Sequence, residues 1–158
     1  MIVDIVNRWL DGVQVDLVKN YDRLGLRASG RWAASLEPFA KFTDNGLSTG
    51  ILGEQYTGAL TDGRKPTNST GGGAITLRAA IRQWIDDKGI TPDGISKDSL
   101  AYVIARKIHN EGIKVPNKYN AGGLVSDVVN QSRIDELINE MKLFYVEEMR
   151  GTYIKYVQ

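Results

Sequence analysis

The stretch RWAASLEPFAKFTDNGLSTGILGE, residues 31–54, decides the fold class because it interrupts a chain that otherwise favours helices. Apolar and polar side chains alternate loosely on both sides of Asp44-Asn45-Gly46. An Asn-Gly pair between two such runs is a strong hairpin signal. Pro38 confines the first strand to an edge or bulged position. The stretch therefore predicts a small antiparallel hairpin.

Helical patterns lie on both sides of this hairpin. From Ile2 to Leu24, apolar residues recur every three or four positions, and Gly25 followed by Leu26 is typical of a helix end. A second apolar pattern runs from Ile134 to Met149, where Ser132 and Asp135 resemble a capping box. Three further elements are predicted between them: a helix from Thr76 to about Lys88, a helix from Ser96 or Asp98 to Gly112, and a strand at Leu124–Val129.

The element order predicts an α+β fold: a long N-terminal helix, a small antiparallel sheet with flanking helices, and a long C-terminal helix. We expect residues 1–158 to form a single domain, since this length suits one core. Residues 61–73 contain nothing that can enter a core, and they include Gly71-Gly72-Gly73. We therefore expect a flexible loop or arm at about residues 61–75.

Composition excludes several classes of protein. The 158 residues carry a formal net charge of +1, no Cys and one His. Disulfides, Cys-based zinc sites and Cys nucleophiles are thereby excluded, as is a site built from several His. No apolar run approaches the roughly 20 residues that span a bilayer, and the N-terminus does not resemble a signal peptide. We expect no cofactor, no metal and no membrane partner.

No set of residues predicts catalysis. His109 has no orienting acid or nucleophile near it in sequence, and a solvated His at a helix end is the simpler interpretation. The triple glycine lacks the residues of a phosphate-binding loop and is better interpreted as a hinge. Asp86-Asp87 and Glu147-Glu148 are adjacent on helices, so each pair points in two directions. We expect a protein that is not an enzyme.

The aromatic residues divide into two groups. Trp9, Trp32 and Trp84 are each predicted to lie on an apolar face and so in the core. The last helix, in contrast, is crowded with Tyr and carries apolar residues beyond one stripe, more than a small domain can cover. Since Tyr is enriched at protein interfaces, we predict a subunit interface there, formed by Tyr145, Tyr153 and Tyr156.

Charge is unevenly distributed. Residues 55–84 hold four basic side chains and one acidic, whereas residues 127–158 hold four basic and six acidic. Surfaces of opposite sign suit association between copies. An alternative is a DNA-binding accessory protein, in which a helix-turn-helix-like segment at residues 76–114 contacts phosphates. Its candidate contacts are Lys97, Arg106, Lys107 and Lys114.

Several short motifs follow one another in a characteristic order between residues 29 and 112. They are Ser29-Gly30-Arg31, Ser35-Leu36, Gly53-x-x-Tyr56, Gly63-Arg64-Lys65-Pro66, Ile81-x-x-Trp84-Ile85, Lys88-Gly89-Ile90, and Ala101-Tyr102-x-Ile104-x-Arg106-Lys107-Ile108 followed by Gly112. This order resembles the head–tail connector and tail-completion proteins of tailed bacteriophages. The resemblance covers more than half of the chain. The long Tyr-rich helix after Gly112 departs from the family, whose members often end in a shorter, strand-rich segment.

The resemblance implies a structural virion protein of the neck or tail, assembled in the cytoplasm of the host bacterium. Such proteins form homo-oligomeric rings of six or twelve copies beside portal, connector or tail proteins. Genomic DNA passes non-specifically through the central hole. In such a ring we expect Arg64, Lys65 and Pro66 to contact a neighbouring subunit or the adjacent ring. A ring contact joins two different faces of the subunit, which opposite charges would favour.

Overall fold

The computed structural model describes residues 1–67 and 76–157. Within them the helices are α1 (Ile2–Arg23), α2 (Arg31–Ala34), α3 (Thr57–Thr61), α4 (Leu77–Asp87), α5 (Lys97–Glu111) and α6 (Gln131–Val157). The strands are β1 (Glu37–Thr43), β2 (Gly46–Leu52), β3 (Gly63–Arg64) and β4 (Ile113–Lys114). The fold is α+β, with a long first helix, a small antiparallel sheet with flanking helices and a long last helix, as the sequence predicts.

The chain is organised as two compact units. Unit 1 consists of Met1–Asn20, Leu36–Gly53 and Gly123–Gln158, and unit 2 consists of Tyr21–Ser35 and Glu54–Gly122. The hairpin β1–β2 and α6 therefore belong to unit 1, and α2 to α5 belong to unit 2. The expectation of a single domain over residues 1–158 stays a prediction.

The core of unit 1 is built on one face of α1. Gln14, on the same helix, donates a hydrogen bond of 2.7 Å from Nε2 to the carbonyl oxygen of Leu36, next to the hairpin. The buried apolar residues of this unit are Ile2, Val6, Leu10, Val13, Leu17, Leu36, Leu124 and Val128. The first five recur every three or four positions, so the periodicity of the sequence identifies the buried face of α1 correctly.

The predicted hairpin is confirmed. β1 and β2 pair antiparallel from Glu37 opposite Leu52 to Thr43 opposite Gly46. Asp44 and Asn45 therefore make the turn, and Gly46 begins β2 with φ of 116°. Glycine adopts this positive φ without steric cost, which suits Gly46 to the position directly after the two turn residues.

The predicted strand at Leu124–Val129 is wrong, because the segment forms turns. Leu124 and Val128 are both buried, and their spacing of four matches a helical turn rather than the alternation of a strand. The side chain of Asn20 holds the segment in place: its Nδ2 donates hydrogen bonds of 3.0 Å to the carbonyl oxygens of Gly123 and Leu124.

The capping box at Ser132 and Asp135 is also wrong. α6 begins at Gln131, and Asn130 Oδ1 accepts a hydrogen bond of 3.1 Å from the backbone N–H of Arg133. Asn is as good an N-cap as Ser, so the choice between two nearby capping residues depends on the preceding turn.

Unit 2 is organised around Trp32, which lies on α2 rather than in a strand. Its ring packs 4.7 Å from that of Tyr21, and its Nε1 donates a hydrogen bond of 2.9 Å to Thr57 Oγ1. Thr57 donates in turn to the carbonyl of Glu54, whose N–H donates to Ser35 Oγ. Ser35 Oγ donates to the carbonyl of Trp32, which closes the network. Three segments of unit 2 are thereby joined.

The helices α4 and α5 begin where the sequence predicts, because Thr76 and Ser96 each accept a hydrogen bond from the backbone N–H three residues on. The prediction that Trp84 lies in the core is wrong. Ile85 is fully buried, whereas Trp84 is 38% exposed. Neighbours on a helix point about 100° apart, so burial of Ile85 turns Trp84 towards the edge of α4.

The first part of the predicted arm at residues 61–75 is not a loop without regular structure. Thr61 ends α3, and Gly63 and Arg64 form β3, which pairs antiparallel with β4. The backbone N–H of Thr67 then donates a hydrogen bond of 2.9 Å to the carbonyl oxygen of His109. Backbone pairing thus fixes residues 63–67. Residues 68–75, with the triple glycine, lie outside the described residues.

Gly112 makes this pairing possible. Its φ is 73°, and a Cβ added to it would lie 2.1 Å from the carbonyl oxygen of Arg64. Only glycine tolerates both the left-handed backbone and so close an approach. The glycine that ends α5 therefore also allows the segment after β3 to lie against the end of that helix.

We predict that Gly112→Ala lowers the free energy of unfolding by about 3 kcal/mol or more, because it adds a collision with backbone to the strain of positive φ. The matched control is Gly89→Ala. Gly89 has φ of 66° but nothing within 4 Å of an added Cβ, so we expect a cost of about 1–2 kcal/mol from φ alone. Urea denaturation measures both; equal losses would contradict the close approach.

Candidate subunit interface

The first half of α6 is fixed to α1 within unit 1. Trp9 Nε1 donates a hydrogen bond of 3.0 Å to the carbonyl oxygen of Arg133. The Arg133 side chain reaches back across α1, where its Nη1 lies 2.6 Å from Asp16 Oδ2. A longer ion pair of 3.7 Å joins Arg8 to Glu140. These contacts secure the helix over its first three turns.

Gly12 explains how Arg133 can cross α1. A Cβ at Gly12 would lie 3.2 Å from Arg133 Nη2, tighter than ordinary van der Waals contact. A glycine in a helix interior costs about 1 kcal/mol relative to alanine. The space it leaves is occupied by the guanidinium group, so this glycine has a structural role.

Within residues 1–67 and 76–157, no hydrogen bond or ion pair of this kind reaches the second half of α6. Every residue from Tyr145 to Tyr156 is exposed. The three tyrosines predicted to form an interface, Tyr145, Tyr153 and Tyr156, are 51%, 70% and 86% exposed. A 27-residue helix is about 40 Å long, so roughly half of that length carries large apolar side chains in solvent. The structure brings these three tyrosines to one helix, as the sequence predicts.

Their directions around the helix form a stripe. With about 100° between successive residues, Tyr145, Tyr153 and Tyr156 lie within roughly 80° of one another. Met149 lies between them, and it is 71% exposed. We call these four residues the tyrosine stripe. The sequence places Met149 in the apolar pattern of this helix but not among the predicted interface residues, although its spacing of four from both Tyr145 and Tyr153 indicates that it belongs to this stripe.

A second apolar surface lies beside the tyrosine stripe. Leu143, Val146 and Ile154 are exposed, and Arg150 lies among them at a spacing of four from Val146 and Ile154. We call these four residues the aliphatic stripe. Its centre lies roughly 110° around the helix from that of the tyrosine stripe. A shallow depression lined by Met149, Arg150, Tyr153 and Ile154 lies where the two meet.

The predicted contact residues near β3 differ in how they are held. Arg64 is half-buried, and its Nη2 donates a hydrogen bond of 2.8 Å to Thr67 Oγ1. Lys65 and Pro66 are exposed. Arg64, Lys65 and Pro66 belong to unit 2, whereas the three tyrosines of α6 belong to unit 1. Their role in an interface stays a prediction.

The two units carry opposite charge. Unit 2 contains 13 Lys and Arg against 8 Asp and Glu, a net +5, whereas unit 1 contains 7 against 11, a net −4. The near-neutral chain is therefore strongly polarised. The difference in net charge between the two compact units is larger than the difference between residues 55–84 and residues 127–158, the two segments that the sequence analysis compares.

The segment 76–114 departs from a helix-turn-helix. Nine residues, 88–96, separate α4 from α5, whereas the turn of that motif has three or four. Lys97 is paired with Asp86 at 2.8 Å. Lys114 lies in β4, and Arg106 and Lys107 are exposed on α5. Of the four predicted phosphate contacts, Arg106 and Lys107 thus remain exposed and unpaired with the rest of the segment, but as neighbours on a helix they point about 100° apart.

The part of the chain at residues 1–67 and 76–157 contains no cluster of three acidic or His side chains that could hold a metal ion. None of its helices combines the length and hydropathy required to cross a membrane. His109 is exposed near the end of α5.

Comparisons with known proteins give no match, whether with family models, curated proteins or solved structures. The candidate interface therefore depends on the geometry of this chain.

We predict that the anchor of α6, the Arg133–Asp16 ion pair that holds it to α1, depends on pH through Asp16. Hydrogen bonds from Arg133, and secondarily from Lys19, hold the pKa of this carboxyl below its ordinary value of 3.8. A lowered pKa stabilises the fold above about pH 4, and this stabilisation is lost as pH falls through the lowered value. Asp16→Asn should therefore lower the melting temperature more at pH 7 than near pH 2.

The pair is partly exposed, so the loss at pH 7 should be at most about 1 kcal/mol. Asp11→Asn is the matched control, because Asp11 lies on the same helix and makes no ion pair or hydrogen bond within the described ranges. Thermal melts of both variants at the two pH values test the anchor. An Asp16→Asn effect that is equal at both would contradict it.

Proposed function

We propose that this chain is a structural virion protein that forms a homo-oligomeric ring at the head–tail junction, or the top of the tail, of a tailed bacteriophage. In this role it connects the portal or neck with the tail, and the genome passes through its lumen. The order of motifs between residues 29 and 112 supports the proposal. So does the opposite net charge of the two units, because copies that carry surfaces of both signs attract one another.

The observation that carries the proposal is the exposed second half of α6. A fully buried Tyr removes 150–250 Å² from solvent, so at 51%, 70% and 86% exposure the three tyrosines leave on the order of 400 Å² uncovered. The largest apolar patch on an ordinary monomer is about 300–600 Å². Leu143, Met149 and Ile154 add further area, which favours a helix that other subunits cover.

The remaining features are compatible with a passage for DNA. Affinity for DNA increases with the number of phosphates that a protein neutralises, so a near-neutral chain suits a lumen through which DNA slides. The proposed copy number is six or twelve, with portal, connector or tail proteins as neighbours. Assembly takes place in the cytoplasm of the host bacterium, and Arg64, Lys65 and Pro66 contact a neighbour.

The competing function is a DNA-binding accessory protein that uses residues 76–114. The basic charge of unit 2 and the exposure of Arg106 and Lys107 favour it. The nine-residue linker between α4 and α5 and the exposed apolar half of α6 disfavour it. A monomer that binds duplex DNA with a steep salt dependence would support this alternative over the ring.

We predict that the purified chain is a multimer in solution and is present in virions, and that combining Tyr145→Ala, Tyr153→Ala and Tyr156→Ala releases monomers. Truncation of interface tyrosines often costs more than 1 kcal/mol each, so the dissociation constant should rise at least about 100-fold. Mass measurement by analytical ultracentrifugation tests the assembly, and mass spectrometry of purified particles tests its presence in virions.

Tyr119→Ala is the matched control, because Tyr119 is also highly exposed but lies in unit 2, away from α6 in sequence. It should leave the multimer intact. The circular dichroism spectrum of the triple variant shows whether it remains folded. A wild-type chain that is monomeric at all concentrations and absent from particles would refute the proposed function.

A further inference from the structure

The two stripes on α6 indicate how copies meet. We infer that the second half of α6 packs between the same helices of two neighbouring copies, with the tyrosine stripe of one copy against the aliphatic stripe of the next. This inference rests on the proposed ring and deepens it, because it assigns the subunit contact to one helix. The occupant of each stripe is a second copy of this chain.

One partner surface cannot cover both stripes. The stripes lie roughly 110° apart around the helix, and the side chains on both are exposed. In a two-fold dimer the same patch meets itself, which would bury one stripe and leave the other in water. In a ring, each helix has two neighbours in different directions, so both stripes are buried in every copy.

The exposed area of the two stripes is large enough to form contacts between copies. A standard interface buries about 800 Å² on each partner, and the three tyrosines alone supply on the order of half of this. Met149 and the residues of the aliphatic stripe increase the total towards the standard value. Divided between two neighbouring copies, this surface gives two contacts that are each smaller than a standard interface.

Side chains of opposite charge lie beside the two stripes. Lys142 projects in the direction of the tyrosine stripe, and Glu147 borders the aliphatic stripe. Neither makes an ion pair with another residue of the described part of the chain. When the tyrosine stripe of one copy meets the aliphatic stripe of the next, these two side chains approach with opposite charge, in the manner of the charged positions that flank a coiled-coil seam.

Disulfide cross-linking tests this arrangement in the full chain, which contains no natural Cys. Tyr153 and Ile154 lie at nearly the same height, one on each stripe. The double variant Tyr153→Cys/Ile154→Cys should give, after mild oxidation, a ladder of covalent multimers on a non-reducing gel. Each single variant should remain monomeric on the same gel, because its Cys meets no Cys on the facing stripe.

Two further double variants complete the experiment. Met149→Cys/Ile154→Cys places the two Cys five residues apart along the helix, so an axial offset of about one turn between copies does not conceal the contact. Gly151→Cys/Lys155→Cys places two Cys on the side of the helix that faces away from both stripes, and it should give no ladder.

Each remaining outcome overturns the inference in a distinguishable way. Covalent dimers from Tyr153→Cys alone would show that like stripes meet. If the chain is a multimer by mass but neither double variant on the stripes forms cross-links, another surface joins the copies. The proposed function would then stand. A wild-type chain that is monomeric would remove the inference and the proposed function together.

Discussion

The contact between Arg133 and α1 is the constraint on which the rest of α6 depends. Arg133 accepts a hydrogen bond at its carbonyl from Trp9 and makes an ion pair with Asp16, and Gly12 leaves the space for its side chain. Together these contacts fix the start of a helix that continues for 27 residues. Because the contacts that the described residues make with α6 lie towards its start, the side chains of its second half project into solvent.

This arrangement gives the exposed half a distinct physical character. A surface helix normally has one apolar stripe, which its own domain covers. In α6 the half-buried residues Leu137, Met141 and Phe144 serve that purpose in unit 1. The tyrosine and aliphatic stripes are additional to it. Large apolar side chains in such numbers are stable in solution when something covers them, and association between copies supplies that cover.

The sequence predicts the regular parts of the fold and misses the parts set by single contacts. The face of α1, the hairpin at Asp44–Gly46 and the caps at Thr76 and Ser96 follow from local periodicity and turn chemistry. The strands β3 and β4 are two residues each, too short for any periodic signal. The turns at residues 124–128 depend on Asn20, which is about a hundred residues away. For the candidate interface, the tyrosines were recognisable from the sequence, whereas the exposure of Met149 depends on where α6 leaves the core.

Hydrogen–deuterium exchange over residues 145–156 tests the central claim, that other copies cover the second half of α6. The measurement compares a concentrated solution with one diluted below the dissociation concentration, and residues 2–20 of α1 serve as the internal reference. If other copies cover this half of the helix, its exchange is slow in the concentrated solution and fast on dilution, while the exchange of α1 stays constant. Equally fast exchange of residues 145–156 at both concentrations would contradict it.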